Sequence, residues 1–386
     1  MPIGRAAERF GRTSGVVTTE LPPERERSGG HNPFDGRAFT TSMDEDAVLD
    51  LLREVEDPDL GEDIVSLRLV NEVTTDGDSV SISLALGAPY SPNETAIAGR
   101  VREVLGREGI DAELSARVDR GPAEEGVLPD VKNVIAVASG KGGVGKSTVA
   151  VNLAAGLSAM GAHVGLFDAD VYGPNVPRMV AADEHPQATQ EERIIPPEKY
   201  GMKLMSMAFL VGEDDPVIWR GPMIHKIITQ LTEDVEWGAL DYLVVDLPPG
   251  TGDTQLTLLQ TVPVTGAVIV TTPQDVAVDD ARKGLRMFGR HDTPVVGIVE
   301  NMSGFLCPDC GAEHDIFGEG GGGAFAEEVE MPFLGEVPLD PSVREGGDEG
   351  GPAVLDEGET TDALQAVVER VANNVGVLHR RRQSQQ

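Results

Sequence analysis

Gly140-Lys141-Gly142-Gly143-Val144-Gly145-Lys146-Ser147 follows an apolar run at 134–138 and opens a segment with helical spacing. Glycine recurs where successive backbone N–H groups must turn inward around an anion. The eight residues carry the G-x-x-x-x-G-K-[ST] spacing of a phosphate-binding loop between strand and helix. In such a loop Lys146 reaches the β- and γ-phosphates, and the Ser147 hydroxyl, followed by Thr148, sits on Mg²⁺. Residues 140–148 are therefore the expected site for a nucleoside triphosphate. A second lysine, Lys141, narrows the pattern further.

On the C-terminal side of the loop, strand and helix signals alternate. Apolar runs at 134–138, 164–168, 242–246, 267–271 and 295–299 read as strands. Amphipathic segments at 147–160, 222–232, 253–261 and 276–290 read as helices. Nearly continuous apolar strands between such helices predict an α/β, doubly wound parallel sheet, with ligands beyond the carboxyl ends of the strands. A smaller unit precedes it. Val48, Leu51, Leu52 and Val55 keep helical spacing, Val80, Ile82 and Leu84 alternate with serines, and Ile97, Val101, Val104 and Leu105 mark a second helix. The expected organisation is an extension at 1–42, a small α+β domain at 43–120, a linker at 121–130, the large domain at 131–378 and a tail at 379–386.

The chain has 386 residues, with Asp plus Glu 65 against Lys plus Arg 31, a formal net charge of −34. Such a field repels free nucleic acid and anionic membranes, and its even spread reads as an adaptation to high salt. Residues 1–42 break the pattern with six Arg against five acidic residues and much Gly, Pro, Ser and Thr. They are expected to be disordered, with Met43 a candidate start. No apolar run approaches the roughly 20 residues that span a bilayer, and the N-terminus has no secretion-signal core. A cytoplasmic protein is expected. Of only seven lysines, two stand in the phosphate loop.

Carboxylates close two strands: Asp168-Ala169-Asp170 and Asp246-Leu247-Pro248-Pro249-Gly250-Thr251-Gly252-Asp253. Beside a phosphate loop, Asp246 is the expected Mg²⁺ ligand, Asp170 orients the attacking water and Asp168 aids the metal shell. Asn301, at the end of another strand, offers a donor and an acceptor to an adenine edge. Both cysteines lie in Cys307-Pro308-Asp309-Cys310. The spacing suits half a zinc site, half an iron–sulfur site or a dithiol redox pair; a symmetric dimer would bring four thiolates together. A bridging metal site is preferred. Four glycines at 320–323 follow, as a hinge or a point of close chain approach.

Taken together, these motifs resemble the Mrp/ApbC family of P-loop ATPases, which carry iron–sulfur clusters. The resemblance covers 44–375 and rests on the two-lysine loop, 168–174, Trp219-Arg220-Gly221-Pro222, 246–253, Thr272-Pro273-Gln274, Glu300-Asn301-Met302-Ser303 and the cysteine pair. It implies a homodimer with ATP near the interface, Lys141 reaching the partner's nucleotide, and adenine met by Asn301 and the stretch Pro338-Leu339-Asp340. It also implies that Cys307 and Cys310 of two subunits hold a [4Fe–4S] cluster, received from a donor or scaffold and passed to apo-acceptors. The small domain resembles a module of iron–sulfur assembly proteins. Where many of these carry a cysteine, this chain has Ala88-Pro89-Tyr90-Ser91-Pro92, so a docking role is expected. The rival readings are a septum-site or plasmid-partition positioning ATPase, and an ATPase with a structural Cys₄ zinc at the dimer axis.

Overall fold

The computed structural model describes residues 44–76, 79–117, 127–210, 221–307, 310 and 312–385. The extension at 1–42, Met43, most of the linker, the Trp219-Arg220 pair, Pro308 and Asp309 lie outside them.

The small unit packs α1 (Glu45–Leu52) and α2 (Pro92–Arg107) on a sheet ordered β1 (Val70–Asp76), β2 (Ser79–Leu84), β3 (Asp111–Ala116). The alternation in β2 works as expected: Val80, Ile82 and Leu84 are buried with Val48, Leu52, Ile97 and Val101. Pro92 opens α2 behind the N-cap Ser91, whose hydroxyl accepts from the Glu94 N–H at 3.3 Å.

The large unit begins with β4 (Val131–Ser139), α3 (Lys146–Ala159), β5 (Val164–Asp168) and the single turn α4 (Val176–Met179). A short hairpin follows, β6 (Gln187–Ala188) with β7 (Ile194–Ile195), then β8 (Glu198–Lys199) and β9 (Met202–Ser206). Next come α5 (Gly221–Glu233), β10 (Leu240–Asp246), α6 (Asp253–Thr261), β11 (Gly266–Thr271), α7 (Asp275–Arg290) and β12 (Val295–Asn301). A second hairpin, β13 (Phe305–Leu306) with β14 (Glu313–His314), precedes α8 (Gly321–Glu328), β15 (Phe333–Val337), α9 (Pro341–Glu349) and α10 (Glu359–Ser384).

Eight strands form one sheet in the order β15-β12-β11-β4-β10-β5-β9-β8, parallel throughout except the edge strand β8. Alternate residues of β4 feed opposite faces. Ile135 and Val137 join α3 and α10, whereas Val134, Ala136 and Ala138 join α5, α6, α7 and α8. Burial on both sides explains the unbroken apolar runs. The doubly wound parallel sheet behind a small α+β domain is the fold the sequence predicts.

One boundary differs. Residues 379–384 of the tail expected at 379–386 belong to the end of α10, and Arg380 among them is wholly buried. Its guanidinium enters the small domain: Nε lies 2.6 Å from Asp57 Oδ2, Nη1 3.0 Å from Glu94 Oε1, and Nη2 contacts Asp59 Oδ2. Burial pushes the Glu94 carboxyl above its ordinary range, although the Ala88 N–H and Arg380 pull it back. The loop at 87–91 completes the joint. Asn133 Nδ2 donates to Gly87 O at 2.8 Å, Tyr242 Oη donates to Pro89 O at 2.7 Å, and Ala88 is packed into the core beneath α3 and α10.

Candidate functional site

β4 ends at Ser139 and α3 begins at Lys146, so 140–145 must reverse direction in six residues. Gly143 (φ 81°) and Gly145 (φ 82°) adopt the left-handed conformation that this turn needs. Gly140 is required for a different reason: a Cβ there would lie 2.1 Å from the backbone carbon of Asp280 in α7. The unpaired N–H groups of the first turn of α3, with their partial positive charge, face the loop's interior as an anion site.

Lys146 and Asp246, both buried, form an ion pair with Nζ 2.5 Å from Oδ1, and Nζ lies 3.3 Å from Ser147 Oγ. Burial pushes the Asp246 carboxyl up, against the pull of Lys146 and the Ser147 hydroxyl. Its Oδ2 is buried and accepts no hydrogen bond of good geometry among the described residues. An orphaned carboxylate oxygen beside a serine hydroxyl fits Mg²⁺, a hard cation that takes oxygen ligands.

Asp168 is the direct neighbour of Asp246 across the β5–β10 register. Burial and the Asp246 charge push its carboxyl up to about 7. Both of its oxygens are engaged: Oδ2 accepts from Ser206 Oγ (2.9 Å) and the Val176 N–H (3.1 Å), and Oδ1 from the Asp170 N–H (3.2 Å). Asp170 Oδ1 accepts from the N–H groups of Tyr172 and Gly173, which fixes the turn after β5. Lys141 lies at the loop's edge, half-buried, with Nζ 3.4 Å from Gln274 Oε1.

A cavity of about 390 Å³ opens beside the loop. Ser147, Thr148, Asn301, Pro338 and Asp340 all line it. The Asp340 carboxylate is spoken for, however. It caps α9 by accepting from the Ser342 N–H at 2.8 Å and takes the Thr360 hydroxyl at 2.7 Å. Arg178, Met179, Val343 and Arg344 also line the cavity and were not foreseen, because only packing of α4 against α9 brings them there. Asn301 does more than line a wall: its Nδ2 donates to Val144 O at 2.8 Å. It occupies the notch of Gly145, where a Cβ would meet Nδ2 at 2.0 Å.

The cysteines lie between β13 and β14, whose hairpin opens at Phe305, beyond the end of β12 at Asn301. The Cys307 N–H donates to Ala312 O at 2.9 Å, adding a rung beyond the Leu306–Glu313 pair. Cys307 is half-buried and Cys310 exposed. His314 pairs with Phe305 on the hairpin and is exposed. Among the described residues no three His, Cys, Asp or Glu side chains converge on one point. The glycine run is not a hinge: Gly320 (φ 70°) is the N-cap of α8, and Gly321 to Gly323 form its first turn.

A parallel sheet with a glycine loop, a buried lysine–aspartate pair at adjoining strand ends and a base-sized cavity beside them defines a P-loop NTPase. A family described as NUBPL iron-transfer P-loop NTPase matches residues 130–375, and one described as iron-sulfur cluster assembly protein matches 45–113. The iron-sulfur cluster carrier protein of Synechocystis sp. is 47% identical over 349 residues, spanning 86% of this chain and 98% of its own length. That of Escherichia coli (strain K12) is 41% identical over 338 residues, spanning 84% and 90%. A nucleotide-binding protein from Archaeoglobus fulgidus, solved in complex with ADP, aligns with a TM-score of 0.52 at 39% identity, over 58% of this chain and 88% of that one. The chain belongs to the family of NUBPL iron-transfer P-loop NTPases.

Proposed function

We propose that this protein is an ATP-dependent carrier that binds a [4Fe–4S] cluster and transfers it to apo-proteins, with slow ATP hydrolysis. The observation that carries this reading is the shared strand end: Asn301 grips the phosphate loop through Val144 O, and the chain that leaves it enters the hairpin bearing Cys307 and Cys310 at Phe305. The names of the relatives support the cargo.

ATP would place its phosphates in the loop against the first turn of α3. Lys146 Nζ then exchanges Asp246 for the β- and γ-phosphate oxygens, which frees the Asp246 carboxylate. Ser147 and Asp246, with Asp168 behind them, would hold Mg²⁺, which supplies charge neutralisation on the phosphates. Asp170, at the mouth of β5, is the residue proposed to orient the attacking water. The base would lie in the cavity of Asn301, Pro338 and Asp340.

Two thiolates do not complete a cluster, so the reading requires a homodimer. Tyr172, Met223 and Val276 are exposed at the carboxyl ends of the strands, the edge that also carries Lys141. Apolar side chains at that edge support a partner there, with Lys141 reaching its nucleotide. Among the described residues no helix is long and apolar enough to cross a membrane, and the charge of −34 disfavours nucleic acid as a partner.

The test is anaerobic reconstitution with iron and sulfide, followed by an apo-acceptor. Cluster absorbance that Cys310→Ala removes, and its transfer to the acceptor, are the expected outcomes. Stable zinc with neither cluster uptake nor transfer would overturn the proposal.

A further inference from the structure

Glu300 is wholly buried at the end of β12, beside Asn301, and does not line the nucleotide cavity. Its carboxylate reaches away from the phosphate loop. Oε1 accepts from the Gly320 N–H at 3.2 Å, and Oε2 accepts from the Gly322 N–H. These donors belong to the N-cap and first turn of α8, so the Glu300 carboxyl oxygens meet the positive end of a helix. The glycine run makes the contact possible. A Cβ on Gly322 would stand 2.9 Å from Glu300 Cβ, and one on Gly321 would stand 2.3 Å from Pro273 O.

Residues 302–319 carry both cysteines, and their two ends are held by adjacent residues. The outgoing leg starts at Asn301, whose side chain is bound to Val144 O of the phosphate loop. The return leg ends at Gly320, bound to Glu300. β12 lies between β11 and β15 in the sheet. Any shift of the loop on gripping phosphates must move Asn301, since its amide fills the notch of Gly145. The dipeptide 300–301 then moves both legs together.

We propose that Glu300 is a positioning residue that couples the phosphate loop to the cysteine arm, clamping α8 to the strand end that grips the loop. The proposal rests on the function given above, in which nucleotide state and the Cys307/Cys310 site are linked. With the clamp intact, the hairpin turns as one body when the loop closes. Without it, the return leg no longer follows, and the hairpin that joins the two legs does not turn.

The experiment uses the full chain, reduced and metal-free, with iodoacetamide as the probe of Cys307 and Cys310. Alkylation rates are read by intact mass with and without Mg·ATP, and nucleotide binding is read in the same samples by the melting shift. In the native chain ATP is expected to change the rates by about fivefold or more, and in Glu300→Ala the change falls below about twofold with the melting shift retained. Glu300→Gln keeps the shape and one acceptor oxygen but sets an NH₂ against a backbone N–H, so its response is expected to be intermediate. It carries the test if the alanine variant does not fold. A response of native size in either variant would overturn the clamp, as would a native chain that binds ATP but shows no change in alkylation. Loss of the melting shift in the native chain would instead bring down the nucleotide site itself, and the clamp with it.

Discussion

Lys146 Nζ stands 2.5 Å from Asp246 Oδ1, and both side chains are buried. The lysine that should meet phosphate is thus held by the carboxylate that should meet metal. Breaking a buried pair from one side leaves an uncompensated charge, costing about 3 kcal/mol or more. Lys146→Ala should therefore lower the melting temperature as well as abolish ATP binding. A variant of native stability and undiminished turnover would refute the loop's assignment.

Asn301→Ala removes the hydrogen bond to Val144 O without touching the glycines. The expected loss is about 1 kcal/mol of nucleotide affinity, or roughly fivefold in Kd. Calorimetric titration with ATP measures it, and an unchanged Kd would show that the loop needs no such brace.

Gly140 and Gly142 separate packing from chemistry. Gly140→Ala drives a methyl into the backbone of Asp280, whereas a Cβ on Gly142 has nothing within 4 Å. The first should cost about 1–3 kcal/mol of stability and the second much less. Thermal melts of the two variants decide it; equal melts would mean that α7 yields to the methyl.

Arg380→Ala would strand the carboxylates of Asp57, Asp59 and Glu94 at the domain joint. A destabilisation of about 3–5 kcal/mol is expected, and with it faster proteolytic separation of the small domain from the large one. Unchanged melting and cleavage would mean that the joint is held by the apolar contacts of the loop at 87–91.

Asp241 accepts from Lys132 Nζ at 2.7 Å and from the His163 N–H at 2.9 Å. Burial alone would raise its carboxyl, but the Lys132 and His163 hydrogen bonds outweigh it and hold the group below its ordinary value. A depressed folded value contributes stability above the unfolded pKa of about 3.9. That contribution is lost as pH falls through the folded value. Asp241→Asn should melt lower than the native chain at pH 7, and the gap should close below about pH 4. A gap that persists in acid would assign the effect to shape rather than charge.

The sheet was legible because its signals are local and periodic. Apolar runs of strand length mark β4, β5, β10, β11 and β12, and the glycine spacing of 140–147 needs no tertiary context to read. The glycines at 320–323 left two readings open, a hinge or a close chain approach, because four glycines look alike whether they bend freely or accommodate a neighbour. Only the approach of Glu300 and Pro273 decides which. The burial of Arg380 was not legible, because an arginine among arginines looks solvated. Arg380 is buried because carboxylates some 286 and 321 residues away converge on it.

Local order thus determined the class of this protein: a phosphate loop between strand and helix, carboxylates at strand ends, a cysteine pair, and two units of different pattern. Tertiary structure decided which partners those groups have. It paired Lys146 with Asp246 across 100 residues and engaged Asp340 in capping a helix. It also set the cysteine arm on the strand end that holds the phosphate loop. Propensity and spacing act over a few residues, whereas buried charges take the partners that packing brings within hydrogen-bond reach.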